Sequence, residues 1–521
     1  MRGFRSDAQT AVVKTDRGLV RGYEADGLAV FKGIPYAKAR RFHAPVPADA
    51  WEGVKECTSF GFVCPLVTKD TPNGELKVPH RYWPMDENCQ NLNIWTPGLD
   101  DQKRPVMVWL HGGGFEAGSA IEQEAYDGDQ MAKCGDLVVV TVNHRLNILG
   151  YLDLSDFGPE YENSGNAGGD DIIAALKWVK KNIEAFGGDP DNVTVFGQSG
   201  GGAKVTTLLQ SKEADGLYHK GINMSGVIGP ILADCTGSGR DTVEAMMKEL
   251  GISTVKELEE IDYALMAKAY TKVKPALAAA GKNVGGKPFV NAHYAGDPVT
   301  NGFREETKDI PLLVGSVFAE FSAFAPTPYD KNALSEAEME KIITETMGEE
   351  GAKTVIPLFA EAYPERRIID LLQQDIIFRA PEIEYIAKRS ALNDVTWSYL
   401  FNMDQDIDGG TAPWHCCDIP FVFHNTDLAP YACSEDSIGL AKELETQIFA
   451  SVAAFARTGN PCSEKIPAWK PSAPDAEHTM VFDADTRERV NFDHTLVQAQ
   501  GRYLGPVLQR MMQAMMGNVQ H

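Results

Sequence analysis

Long apolar runs are missing from this chain of 521 residues. None reaches the roughly 18 residues that a bilayer-spanning helix needs, so no membrane association is expected. The opening M-R-G-F-R-S-D-A-Q-T lacks the apolar segment of a secretion signal, and a cytoplasmic location is expected on that ground. Positive charge is scarce: 49 Lys and Arg stand against 73 Asp and Glu, a formal net charge of −24. Such a surface repels a phosphate backbone, which argues against nucleic acid as a partner. There is no H-E-x-x-H, P-loop or dinucleotide fingerprint, so neither a metal nor an organic cofactor is expected. Repeats and low-complexity tracts are also absent. The nine cysteines are an odd number and include no C-x-x-C pair. Cys416 and Cys417 are adjacent, which suits neither a metal nor a redox couple, so packing is the expected role.

What is present is chemistry built on glycine. V-T-V-F-G-Q-S-G-G-G places Ser199 at the centre of a G-x-S-x-G, after a strand over Asn192–Phe196 and before a helix over Ala203–Gln210. A serine on such a strand-to-helix turn is pushed out toward a substrate, and Gly197 and Gly201 keep the turn free of Cβ atoms. Upstream, R-P-V-M-V-W-L-H-G-G-G-F reads as a buried strand over Val106–Leu110, then His111 and three glycines. Acyl transfer by a serine develops an oxyanion that needs backbone N–H donors, and glycines let the backbone come close. Gly113, Gly114 and Gly200 are the candidate donors.

A serine nucleophile needs a base, and the base an orienting acid. In the strand-to-helix architecture the order is serine, acid, histidine. Among the histidines after Ser199, His415 lies in A-P-W-H-C-C-D-I-P-F-V-F-H-N, between a glycine-rich loop at Asp408–Thr411 and an apolar run. His424 is the second candidate and reads better as the polar end of Ile419–Phe423. His111 precedes the serine and reads as a loop-shaping residue. For the acid, I-P-L-L-V-G-S-V-F-A-E-F puts Glu320 five residues past the glycine that ends a strand over Leu312–Gly315. Phe318 and Phe321 flank it and are expected to desolvate the carboxylate.

The chain resembles the type B carboxylesterases, the group of the cholinesterases and bacterial para-nitrobenzyl esterases. The resemblance runs through G-L-V-R-G, F-K-G-I-P-Y-A, W-E-G-V, E-N-C-Q-N-L-N-I-W-T-P, H-G-G-G-F, V-T-V-N-H-R-L, F-G-G-D-P-D-N-V-T-V-F-G-Q-S-G-G-G, H-C-C-D-I-P-F-V-F and F-A-R-T-G-N-P. It implies an α/β-hydrolase fold, a large mainly parallel central sheet flanked by helices. It implies a carboxylic-ester hydrolase with the triad Ser199, Glu320 and His415, acting on a small-molecule ester without a cofactor. It also implies structural pairs of Arg145 with Asp171 and of Arg41 with Glu87. Ser225 and Asp418 are expected to lie behind the triad, hydrogen bonded to each other. Cys64 and Cys89 match the positions of a disulfide in secreted members and are expected to be thiols in a reducing cytosol. The chain departs from the family pattern around the site. K-A-R shortens a proline-containing loop, Phe321 and Cys416 replace glycines after the acid and the histidine, and Ile172 replaces a glutamine.

No Pro/Gly/Ser-rich linker interrupts the matched strings, so residues 1–521 read as a single domain. Strands such as Leu137–Val142 alternate with helices such as Asp171–Phe186, whose Ile172, Leu176, Val179 and Ile183 share a face. Helical patterns at about 235–290 and about 330–395 are read as the wall of the substrate pocket, and the tail Met511–His521 is expected to fray. The same triad also serves amidases, thioesterases and lactonases, and a non-catalytic cholinesterase-like binding protein is the alternative from another class. Three glycines at 112–114 favour bulky, branched alcohols. Phe318, Phe321 and Phe324 are expected to narrow the acyl side toward short and medium chains. The sequence does not disclose the oligomeric state.

Overall fold

The computed structural model describes residues 3–68, 80–227, 229, 235–322, 327–405, 412–429 and 437–505. Its centre is a twelve-stranded sheet. In chain order the strands are β1 Phe4–Arg5, β2 Tyr23–Ala25, β3 Leu28–Pro35, β4 Asn91–Thr96, β5 Arg104–Leu110 and β6 Val138–Val142. They continue with β7 Gly188–Gln198, β8 Lys220–Met224, β9 Leu312–Val317, β10 Thr396–Phe401, β11 His478–Phe482 and β12 Arg487–Val490. Across the sheet the order is β1-β2-β3-β4-β6-β5-β7-β8-β9-β10-β11-β12. The stretch from β6 to β11 is parallel throughout, and the antiparallel pairings lie at its two ends.

The parallel strands are buried on both faces, which is why they read as continuous apolar runs. Side chains alternate between two cores. Val106, Val108 and Leu110 of β5 pack with Ile172, Leu176, Val179 and Ile183, while Met107 and Trp109 pack with Phe423, Phe449 and Phe455. The first group belongs to helix α1, Ala167–Asn182, and the 3₁₀ turn after it, Ile183–Phe186. The apolar face expected of this helix is thus the face it buries. The helix starts four residues earlier than its hydrophobic period suggests, because Gly168 is not loop punctuation. A Cβ there would lie 2.4 Å from the Arg145 carbonyl oxygen and 2.7 Å from the Tyr151 ring, so the glycine permits close packing inside the helix.

Helix α2, Gly200–Leu209, follows β7 directly. Beyond β8 come α3 Arg240–Leu250, α4 Val255–Glu260 and α5 Tyr263–Ala279, which cover Leu146, Leu149 and Leu152. Between β9 and β10 lie α6 Glu336–Ala362, broken at Gly348 (φ +78°), and α7 Arg379–Ser390. Then follow α8 Ile419–Phe423 and α9 Ile438–Thr458. The buried Arg145–Asp171 pair is bidentate, with Nη2–Oδ1 at 2.7 Å and Nε–Oδ2 at 2.8 Å. Arg41 Nε donates to Glu87 Oε2 at 2.9 Å. Among the described residues no helix is long and apolar enough to cross a membrane. The glycine-rich loop Asp408–Thr411, Phe324 and the tail Met511–His521 fall outside the described residues.

Candidate active site

The candidate residues gather at the carboxyl edge of the parallel strands, where open α/β sheets bind ligands. Gly112–Gly114 follow β5, Ser199 follows β7, and Glu320 lies three residues past the end of β9. Ser199 has φ +58° and ψ −125°, a conformation that costs a non-glycine residue about 1–3 kcal/mol. The surroundings enforce it. Ser199 N–H donates to the Met224 carbonyl at 2.8 Å, and the Ser199 carbonyl receives Ala203 N–H at 3.0 Å. The turn also presses against the end of β5: a Cβ on Gly197 would lie 2.5 Å from the Leu110 oxygen, and one on Gly201 only 1.9 Å away. Ser199 is half-buried, between the buried Gln198 and Gly200.

The loop after β5 faces the same turn. Gly113 and Gly114 have φ of +83° and +61°, and a Cβ on Gly200 would meet the Gly114 oxygen at 2.2 Å. Gly114 and Gly200 are therefore in backbone contact. Among the described residues the amide N–H groups of Gly113, Gly114 and Gly200 meet no acceptor.

His415 Nδ1 is 2.5 Å from Glu320 Oε2, and the His415 N–H donates to the Glu320 carbonyl at 3.0 Å. The other carboxylate oxygen accepts Val317 N–H at 2.9 Å. With Nδ1–H given to Glu320, Nε2 is the ring nitrogen left to accept a proton. Glu320 is fully buried, and the Phe378 ring packs on the imidazole with centroids 5.2 Å apart. Nearby carboxyls hold their protons near neutrality. Burial, reinforced by the Glu320 charge, pushes Asp375 and Asp418 each up to about 7.

Several placements differ from the sequence reading. Ser225 and Asp418 are not hydrogen bonded to each other: Tyr399 OH donates to Asp418 Oδ2 at 2.8 Å, and the buried Ser225 Oγ has no partner among the described residues. The contacts of Phe318 lie with another core. Its ring turns into a core with Phe359 and Tyr363, beneath the Arg366 guanidinium, and is 1% exposed. Phe321 is half-buried and packs on Phe378, 5.8 Å between centroids. His424 ends α8 in the left-handed region and stacks on Phe449, so its contacts are with α9. His111 Nδ1 lies 2.9 Å from the Gly112 oxygen, in keeping with a loop-shaping role. Cys64 and Cys89 are buried free thiols.

Two polar residues beside the site escaped the sequence reading. Gln198 Nε2 lies 3.3 Å from both nitrogens of His415, off the axis of either lone pair, while its Oε1 accepts the Cys416 thiol at 3.1 Å. Lys204 is buried on α2 and donates to the His111 carbonyl at 2.9 Å. Their signal was faint: each is a polar residue inside an otherwise small or apolar string around the elbow.

A family model described as the carboxylesterase family matches residues 9–500. The chain belongs to the carboxylesterase family. The para-nitrobenzyl esterase of Bacillus subtilis (strain 168) is 33% identical over 487 residues, covering 91% of this chain and 95% of that protein. The phenmedipham hydrolase of Pseudarthrobacter oxydans is 28% identical, covering 88% and 92%. Among solved structures, an esterase from Clostridium hathewayi, described as able to hydrolyse aliphatic aromatic polyesters, is 48% identical. It superposes with a TM-score of 0.93 over 97% of this chain and 100% of that one. The fold is that of the α/β-hydrolases, and this carboxylesterase is a serine carboxylic-ester hydrolase.

Proposed function

We propose that this carboxylesterase cleaves small esters of short to medium acyl chains through an acyl-enzyme, with Ser199 as nucleophile, His415 as base and Glu320 as its orienting acid. Ser199 Oγ attacks the ester carbonyl as His415 Nε2 takes its proton. The N–H groups of Gly113, Gly114 and Gly200 receive the carbonyl oxygen as it becomes an oxyanion. Glu320 holds the Nδ1–H tautomer and stabilises the imidazolium. The imidazolium then protonates the leaving alcohol. Water, activated by the same histidine, attacks the acyl-enzyme and frees the acid and Ser199. The observation that carries this reading is the strained Ser199 turn facing backbone N–H groups that no described residue occupies.

The glycines at 112–114 present no side chain to the alcohol side, which supports acceptance of branched alcohols. On the acyl side Phe321 and Phe378 are the aromatic residues beside His415. The likeness to an esterase described as acting on aliphatic aromatic polyesters supports a site that also takes esters of aromatic acids. The helices α3 to α7 are read as the walls of this site. A single domain is supported by one sheet whose strands run from Phe4 to Val490.

The deciding experiment is Ser199→Ala with a fluorophosphonate probe. Activity on p-nitrophenyl butyrate is expected to fall by a factor on the order of 10⁶ and labelling to vanish. Labelling that persists, at Ser225 for example, would overturn the assignment. A series of p-nitrophenyl esters is expected to peak at or below about six carbons, since pocket discrimination is roughly 1–3 kcal/mol per methylene.

A further inference from the structure

Lys204 is a buried charge to which the chemistry above gives no part. It is 1% exposed, and its Nζ makes one hydrogen bond with a described residue, to the His111 carbonyl at 2.9 Å. The groups around it come from every side of the site. The Phe115 ring lies 5.7 Å away, Glu122 supplies the attractive charge, and the His111 and His144 imidazoles stack on each other at 4.9 Å. Arg145 adds positive charge at His144. Burial pushes the Lys204 ammonium down to about 7 and both imidazoles well below their ordinary range. An apolar side chain would fill this space without the desolvation cost, so stability alone does not account for a lysine here.

The position of Lys204 suggests what it does. It lies four residues after Gly200 on α2 and therefore shares its helix face, and its side chain leans toward the helix start. The Gly200 face is the one in contact with the Gly114 backbone. His111, whose carbonyl Lys204 holds, immediately precedes Gly112–Gly114. We propose that Lys204 is a positioning residue for the oxyanion loop, its Nζ tying the root of Gly112–Gly114 to α2 so that the loop N–H groups stay aligned with that of Gly200. This rests on the oxyanion reading above. Fluorophosphonate labelling of Ser199 in the wild type tests that reading separately.

The test compares wild type, Lys204→Met and Lys204→Arg on p-nitrophenyl butyrate, per site titrated with fluorophosphonate. The inhibition constant of an aryl trifluoromethyl ketone, whose serine adduct carries the oxyanion, is measured alongside from about pH 6 to 10. K204M is expected to lose roughly ten- to hundredfold in kcat with KM within about threefold, and ketone affinity falls by the same factor. K204R is expected to keep kcat within about threefold, because the charged donor is retained. In the wild type, ketone affinity weakens above about pH 7 as the lysine loses its proton, and K204R lacks this alkaline limb. A K204M enzyme within twofold of wild type per titrated site, or one with unchanged ketone affinity, overturns the proposal. Should K204M not fold, a flat wild-type profile or a limb retained in K204R overturns it equally.

Discussion

Gly201→Ala tests whether the serine turn and the oxyanion loop are locked together by backbone contact. The added Cβ would sit 1.9 Å from the Leu110 oxygen, 2.9 Å from the Leu110 carbonyl carbon and 3.0 Å from the His111 oxygen. Cβ contacts below 3.0 Å essentially never occur, so α2 and the end of β5 must part by about 1 Å. No flexible side chain can give way, because every one of these atoms is backbone. That displacement carries Ser199 and Gly200 away from Gly113 and Gly114. A misplacement of about 1 Å between reacting groups costs roughly 10²-fold in rate. Overpacking adds about 1–3 kcal/mol of destabilisation. The assay is kcat and KM on p-nitrophenyl butyrate per fluorophosphonate-titrated site, with thermal unfolding followed by circular dichroism. The expected result is a loss of about a hundredfold, mostly in kcat, with folded protein. Gly169→Ala is the control: it lies inside α1 with no atom beyond its own stretch of helix within 4 Å of the new Cβ, so activity should not change. A Gly201→Ala enzyme within about threefold of wild type would refute the reasoning.

Three further outcomes are expected. Glu320→Gln should lower kcat by roughly 10³- to 10⁴-fold while thermal unfolding is little changed, since the tautomer and imidazolium lose their partner; an enzyme within tenfold would count against Glu320 as the acid. Asp171→Ala should cost about 3–5 kcal/mol in urea unfolding, because it leaves Arg145 charged and buried, whereas Arg41→Ala should cost less because Glu87 is 30% exposed. Acid should destabilise the fold through His111 and His144. Burial depresses both pKa values, so below about pH 6.5 the unfolded chain binds protons that the folded chain does not. Stability present above that pH is lost as pH falls, by up to about 1.4 kcal/mol per unit for each imidazole, and His144→Gln should flatten the loss; an unchanged slope would argue against this account.

The elbow and the oxyanion loop were legible in the sequence because each is local. G-x-S-x-G and H-G-G-G specify short strand-to-turn pieces, and their glycines leave room for the backbone contacts between the two turns. The parallel strands were legible because burial on both faces writes a continuous apolar run, and α1 because one face must cover that sheet. Glu320 and His415 were named partly from local context, but only the fold brings positions 95 residues apart to a 2.5 Å contact. Side-chain direction was beyond the sequence. Phe318 and Phe321 are three residues apart, yet the first fills a core with Tyr363 and the second reaches toward His415 through Phe378. Ser225 and Asp418 looked like partners, but Tyr399 of β10 takes up the carboxylate. Lys204 and Gln198 carried only a faint signal, because a polar residue in a string gives no hint of whether water or a backbone carbonyl will meet it. Local periodicity and turn chemistry thus determined which pieces form. Packing across the sheet decided which polar groups those pieces bury, and burial is what makes them costly enough to require a partner.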